Sequence, residues 1–295
     1  NTSNNQTIFV RIENDDTGCI RIEESPVFLV VDPLPIISAI TVDPRCDDDQ
    51  DGDDTNEVVT WVLDDYVSDY TAMQTVAGNY AVTFHTAMPT TTANQITDTN
   101  AYQNLSNPQE IYVKVTNTDT SCFREILGFE LQVNPLPDFE LMTDDIVCEN
   151  ILPHDIMVEN PLENDYLYEW FNASGTSIGN SQLLSITDTS DLTREGVDYT
   201  VTVTNPTTLC ERSKTINLRK SSIATLTDDD IITTEFNSPG NSIEVDPTNL
   251  GSGDYEYALE HEYDSKPYQD EPLFEGLLGG VYILKVRDKN DCGEA

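Results

Sequence analysis

The 295-residue sequence carries 14 Lys plus Arg against 54 Asp plus Glu, a formal net charge of −40, with 38% hydrophobic residues and no long apolar run. That charge repels the phosphates of nucleic acid and anionic lipid headgroups alike, so neither nucleic-acid binding nor direct membrane insertion is expected. The length suits two average domains, or three and more β-sandwich modules of about 80 to 100 residues, so internal repeats must set the count.

The first residues already read as strand, which places any signal peptide upstream of Asn1. From Ile8 the segment IFVRIENDDTGCIRIEESPVFLVVDPLP alternates with period two, turns through polar residues at a cysteine, and stops at Pro33-Leu34-Pro35. The same plan returns from Ile111 as IYVKVTNTDTSCFREILGFELQVNPLP, more weakly from Tyr199 as YTVTVTNPTTLCERSKTINLRK, and from Val281 as VYILKVRDKNDCGEA. Asn, Asp, Thr and Gly between alternating strands form hairpins by ordinary turn chemistry. Proline at both ends of each Pro-Leu-Pro cannot donate to a ladder, so these tripeptides end one module and stiffly begin the next. The predicted organisation is all-β: tandem immunoglobulin-like sandwiches in a linear array. Its parts are the last strands of a truncated domain over 1–35, then sandwiches over 36–136, 137–220 and 221–295.

Between the hairpins, VTWVLDDYVSDYTAM from Val59 is the nearest approach to a helix and remains ambiguous between helix and strand. Trp61 and Trp170 are read as core plugs, and Gly196-Val197-Asp198-Tyr199 resembles the tyrosine corner of sandwich folds.

The cysteines are Cys19, Cys46, Cys122, Cys148, Cys210 and Cys292, with no C-x-x-C pair to suggest zinc or thioredoxin-like chemistry. Widely spaced single cysteines in a strand-rich chain read as disulfides and imply an oxidising, extracellular setting. Each complete module opens and closes with one cysteine, so the expected bridges are Cys46 with Cys122 and Cys148 with Cys210. Cys19 and Cys292 are then left unpaired. One objection is geometric: a Cys46 at the far end of its strand would face the pole opposite Cys122.

Taken together, YVKVTNTDTSCF with NPLP, the string CDDDQDGDD, and GDYEYALE, YQDEPLF and GGVYILKVRDKNDCG resemble the tandem repeats of giant surface proteins of flavobacteria and their relatives. Those proteins are exported by the type IX secretion system. The last three strings are similar to the domain that directly precedes a C-terminal gliding-motility-associated sorting domain, which this sequence does not contain. The resemblance implies a cell-surface, outer-membrane-associated location. It also implies the type IX machinery as a partner, and surface polysaccharide or other cell-surface ligands met through regions outside these residues.

Asp47, Asp49, Asp51 and Gly52 form D-x-D-x-D-G, a spacing that turns alternate oxygens toward one cation. The Glu that an EF-hand would place six residues after the Gly is Val58, so a missing ligand would come from Asp53, Glu57 or Asp64. Structural calcium on Asp47, Asp49, Asp51 and Asp53 is one reading and a solvated acidic loop is the other. Thr227-Asp228-Asp229-Asp230 is a weaker candidate of the same kind. Gly175-Thr176-Ser177-Ile178-Gly179 matches G-x-S-x-G, but it joins two strands, and His85, His154 and His261 fall in different modules, so no catalytic triad is expected. Asn104-Leu105-Ser106 and Asn172-Ala173-Ser174 match the N-glycosylation sequon and are read as turn residues in a bacterial protein.

The sequence reading is therefore a non-catalytic stalk or adhesive repeat region of a surface protein serving adhesion, gliding or a filament. An accessory region of a secreted polysaccharide-degrading enzyme is the alternative. A minor third reading has the last module bind glycan through Tyr255, Tyr257, Tyr263 and Tyr268, about half of which alternation assigns to the core.

Overall fold

The computed structural model describes residues 6–29, 31–160, 162, 165–235 and 240–295. The protein is all-β: among these residues the helical content is the short Val67–Ala72 helix and three single 3₁₀ turns. It divides into two compact units, Asn1–Pro135 and Leu136–Ala295, and the division falls inside the second Pro-Leu-Pro.

The first unit opens with the antiparallel hairpin Gln6–Glu13 and Ile20–Leu29. Its sandwich then builds one sheet from Tyr80–His85, Gln109–Asn117 and Phe123–Leu131, in that order. Along Gln109–Asn117 every second residue is buried, which is the pleat written into IYVKVTN. Ile111, Val113 and Val115 meet Trp61, Leu63, Tyr70, Phe84, Phe129 and Leu131 in one core. Trp61 comes from the short Thr60–Trp61 strand paired with Tyr102–Gln103. The ambiguous segment after Trp61 becomes a 3₁₀ turn, Leu63–Tyr66, running into Val67–Ala72, and it buries Leu63 and Tyr70. Asp64, Asp65 and Asp69 crowd the first turns of these elements, where backbone N–H groups favour negative charge.

The second unit holds two sandwiches. The first has a five-stranded sheet ordered Asp144–Cys148, Glu211–Ser221, Val197–Thr204, Leu167–Phe171, Ser177–Gly179. The pair His154–Met157 and Leu183–Ile186 completes it around Trp170, Tyr199, Val201, Val203, Ile216 and Leu218. Trp170 is fully buried, and its indole N–H donates to the Ser181 carbonyl at 3.0 Å. The second sandwich pairs Ile231–Thr234, Asn241–Val245 and Leu273–Leu277 in one sheet. Lys266–Gln269, Tyr255–Glu260 and Ile283–Asp288 form the other. Val245, Leu250, Tyr257, Leu259, Phe274 and Val286 fill the space between.

In both complete sandwiches that carry a first-strand cysteine, that strand pairs in parallel with the last one. Cys46 lies opposite Asn134 and Cys148 opposite Ser221. A first strand hydrogen-bonded this way delivers its cysteine to the end at which the chain leaves the sandwich.

Candidate functional site

The cysteine-bearing hairpins share a local design. In each, the residue immediately before the cysteine has a positive φ: Gly18 at 63°, Ser121 at 64°, Leu209 at 60° and Asp291 at 63°. Such left-handed residues close a three-to-five-residue hairpin loop with a bulge and fix where the following side chain points. In the first three hairpins an Asn five residues before the cysteine caps the turn with its own Oδ1. Asn14 accepts from the amides of Asp16 and Thr17, Asn117 from Asp119 and Thr120, and Asn205 from Thr207 and Thr208.

The disulfides differ from the sequence expectation. Cys148 is bonded to Cys292, across 144 residues and with their Cα atoms 5.4 Å apart, and Cys122 is free. The expected Cys46–Cys122 and Cys148–Cys210 bridges are therefore corrected, and Cys292 is paired rather than left over. Cys46 and Cys210 are themselves disulfide-bonded, while Cys19 is free and exposed. The physical reason is the parallel pairing. Cys122 opens the strand that ends beside Cys46, and Cys210 opens the strand that ends beside Cys148. At a rise of about 3.3 Å per residue, each expected pair is separated by about 35 to 40 Å along the chain. A disulfide needs Cα atoms within about 7 Å. Within the second unit the first-strand cysteine instead meets the hairpin cysteine of the sandwich that follows, Cys148 with Cys292. Cys46 occupies the Cys148 position in its own sandwich, and Cys210 the Cys292 position.

Around Cys148–Cys292 the two sandwiches of the second unit share a polar joint. The Asn150 amide donates to the Cys292 carbonyl at 2.8 Å. The Tyr255 hydroxyl lies within hydrogen-bond distance of the Ser222 and Leu250 carbonyls and accepts from the Gly253 amide at 3.0 Å. Tyr255 thus turns its hydroxyl back to backbone. Glu149 accepts from the Ser252 hydroxyl at 2.7 Å and the Thr189 hydroxyl at 3.2 Å, with the Lys220 ammonium 3.4 Å away. Burial raises the Glu149 pKa, but the Ser252 hydroxyl and Lys220 outweigh it and hold the carboxyl below its usual range. Fully buried Asp288 accepts from the Ser221 hydroxyl at 3.0 Å. Apart from the cysteines and Tyr255, none of these joint residues stood out in the sequence.

The acidic loop is wired differently. Asp47 is buried and accepts from the amides of Asp48 and Glu57, and burial outweighs those bonds to raise its pKa. Asp51 accepts from the Asp53 amide and the Asn56 side chain, and Asp53 from the amide and hydroxyl of Thr55. Glu57 itself has a φ of 58°. The carboxylates, Asp49 included, are not gathered round a common point: among the described residues no group of three or more His, Cys, Asp or Glu side chains could hold a metal ion. In the Thr227–Asp230 stretch, Asp230 closes a capping box with Thr227.

The remaining candidates sit apart from one another. Ser177 begins the Ser177–Gly179 strand, so G-x-S-x-G is a strand-to-strand hairpin. His85 is buried against Thr83 and Asn94, His154 faces Asp145 at 2.7 Å, and His261 stacks on Tyr282. Asn104 is buried, accepting from the Val59 amide and donating to the Glu57 carbonyl, while Asn172 caps its own turn. Tyr255 and Tyr257 are core residues, and Tyr263 is 78% exposed.

Residues 44–137 match the family model described as the Flavobacterium inter-domain disulphide bond domain. The match supports a flavobacterial origin and disulfides that run between domains, the arrangement seen at Cys148–Cys292. No curated protein matches the sequence. Among solved structures the chain is similar to three N-terminal domains of the bacteriophage RB49 highly immunogenic outer capsid protein (13% identity, 75% of this chain and 85% of that one, TM-score 0.34). It is also similar to Drosophila N-cadherin EC1-4 (13%, 98% and 80%, TM-score 0.26) and to the N-terminal four immunoglobulin domains of Dscam1 isoform 6.9 (12%, 73% and 54%, TM-score 0.25). The chain thus spans about half the length of the Dscam1 structure. Likeness at this level concerns the sandwich fold alone. Disulfides of this kind belong to secreted or cell-surface proteins, and no described helix is long and apolar enough to cross a membrane.

Proposed function

We propose that the chain is a non-catalytic, load-bearing repeat region of a secreted surface protein, in which each sandwich is stapled to the next by a disulfide. The observation that carries this reading is Cys148–Cys292, which joins the first strand of one sandwich to the last hairpin of its successor. By the same one-module offset, the partner that fits free Cys122 is a first-strand cysteine of a preceding repeat. Closing a loop of 144 residues contributes about 5 kcal/mol in the chain-entropy treatment. It also keeps everything between the two sulfurs from lengthening under tension.

The array would project an adhesive or gliding tip from the cell, after export by the type IX route, with the ligand met outside these residues. The charge of −40 supports a solvated spacer that keeps clear of nucleic acid and lipid.

Single-molecule pulling from the two termini tests the load-bearing role. Before reduction, the residues between Cys148 and Cys292 should contribute no extension. After reduction, the gain from those 144 residues should reach about 500 Å. Equal extension in both states would refute the staple. Assays on esters, peptides and polysaccharides should show no turnover, and an activity lost in Ser177→Ala would overturn the non-catalytic reading.

A further inference from the structure

We propose that Asp288 is a positioning residue for the Cys148–Cys292 bond, assembling the joint through hydrogen bonds so that Cys148 selects Cys292 before any sulfur is oxidised. An ionised carboxylate taken out of water costs several kcal/mol unless its oxygens are bonded. Asp288 is fully buried, and both of its oxygens are used. Oδ1 accepts from the Ser221 hydroxyl at 3.0 Å, the Asp254 amide at 2.9 Å and the Asn290 side chain at 3.3 Å. Oδ2 accepts from the Cys292 amide at 3.2 Å.

The identity of those donors gives the carboxylate its role. Ser221 belongs to the preceding sandwich and is the strand partner of Cys148. Cys292 is the other half of the bridge, and its carbonyl is held from the preceding sandwich by Asn150 at 2.8 Å. One carboxylate therefore grips the backbone of one cysteine and the neighbour of the other, and Asn150 closes the circuit two residues from Cys148. The other hairpins lack this reach. Asn14, Asn117 and Asn205 stand five residues before their cysteines and turn inward on their own loops. Asp288 stands four before Cys292, and its Oδ1 is turned onto Ser221.

Oxidation by a small disulfide such as oxidised glutathione proceeds in two exchanges. A cysteine thiolate attacks one sulfur and expels a glutathione thiolate. The second cysteine thiolate then attacks the mixed disulfide and expels the other, so two protein thiols are oxidised and one glutathione disulfide is reduced to two thiols. A joint that is already docked makes the second exchange intramolecular and raises its effective concentration.

This inference rests on the stapled reading above, and one experiment separates them. The full chain is equilibrated in glutathione buffers of graded ratio, quenched, and the Cys148–Cys292 peptide quantified by mass spectrometry for the wild type, Asp288→Asn, Ser221→Ala and Asn150→Ala. Loss of a hydrogen bond to a buried charge should shift the ratio at half-oxidation about tenfold or more toward oxidant in Asp288→Asn and severalfold in Ser221→Ala. Ser221→Ala decides the matter, because a residue that merely braces its own hairpin would not feel a hydroxyl on the preceding sandwich. A ratio within twofold of wild type in Ser221→Ala overturns the proposal, even if Asp288→Asn fails to fold. Absence of the peptide from oxidised wild type would instead sink the staple itself.

Discussion

Two acidic regions of this chain use their carboxylates in opposite ways. The loop from Asp47 to Asp54 is the densest run of acid in the sequence, yet Asp47, Asp51 and Asp53 bond only to groups within the local stretch that ends at Glu57. The joint at Cys148–Cys292 relies on two scattered acids, Glu149 and Asp288, each of which reaches one hydroxyl across a module boundary. The contrast teaches that carboxylate density reports turn chemistry and solvation, whereas the assembly of modules depends on single acids with distant donors.

The largest effect that sharpens the comparison is removal of the bridge. Cys292→Ser should lower the unfolding free energy of the Leu136–Ala295 unit by about 5 kcal/mol in urea titration under oxidising conditions. Cys122→Ser, at a free thiol, should leave the stability unchanged. Within the acidic loop, Asp47→Ala should cost about 1 to 2 kcal/mol, because it strands the Glu57 amide. Asp49→Ala, at an exposed position, should stay within about 0.5 kcal/mol. Parity between those two variants would mean the loop has no structural centre.

Acid should act on the joint through Glu149. Its folded pKa is depressed, so its contribution is present above the ordinary value of 4.5 and is lost as pH falls through the lower folded value. The Tm gap between wild type and Glu149→Gln should therefore be widest near neutrality and close below that range. A gap that widened in acid would contradict the assigned direction. The smallest effect concerns calcium: a calcium-dependent rise in the Tm of the 36–136 sandwich over its value in chelator would place a cation on Asp47, Asp49, Asp51 and Asp53, and coincident melting curves would leave a solvated acidic loop.

Much of the fold was legible because the hairpins repeat. Period-two strands around a polar turn, and Trp61 and Trp170 as core plugs, appear where alternation puts them. The bridges were not legible, since nothing in VDPRC or DDIVC announces a strand pairing in parallel with the last strand of its module. That pairing alone moves Cys46 and Cys148 to the exit end. The joint was hidden for a different reason: Glu149 and Asp288 are two acids among 54, and their donors are remote in sequence. One signal was available in RDKNDC, where the turn residue stands one position closer to its cysteine than in the other hairpins.

Non-reducing peptide mapping of the oxidised chain tests the central claim most directly. The account predicts a peptide pair joining Cys148 to Cys292, with Cys122 recovered as a free thiol. Recovery of Cys148 joined to Cys210, or of Cys46 joined to Cys122, would return each bridge to the inside of a single sandwich and contradict it.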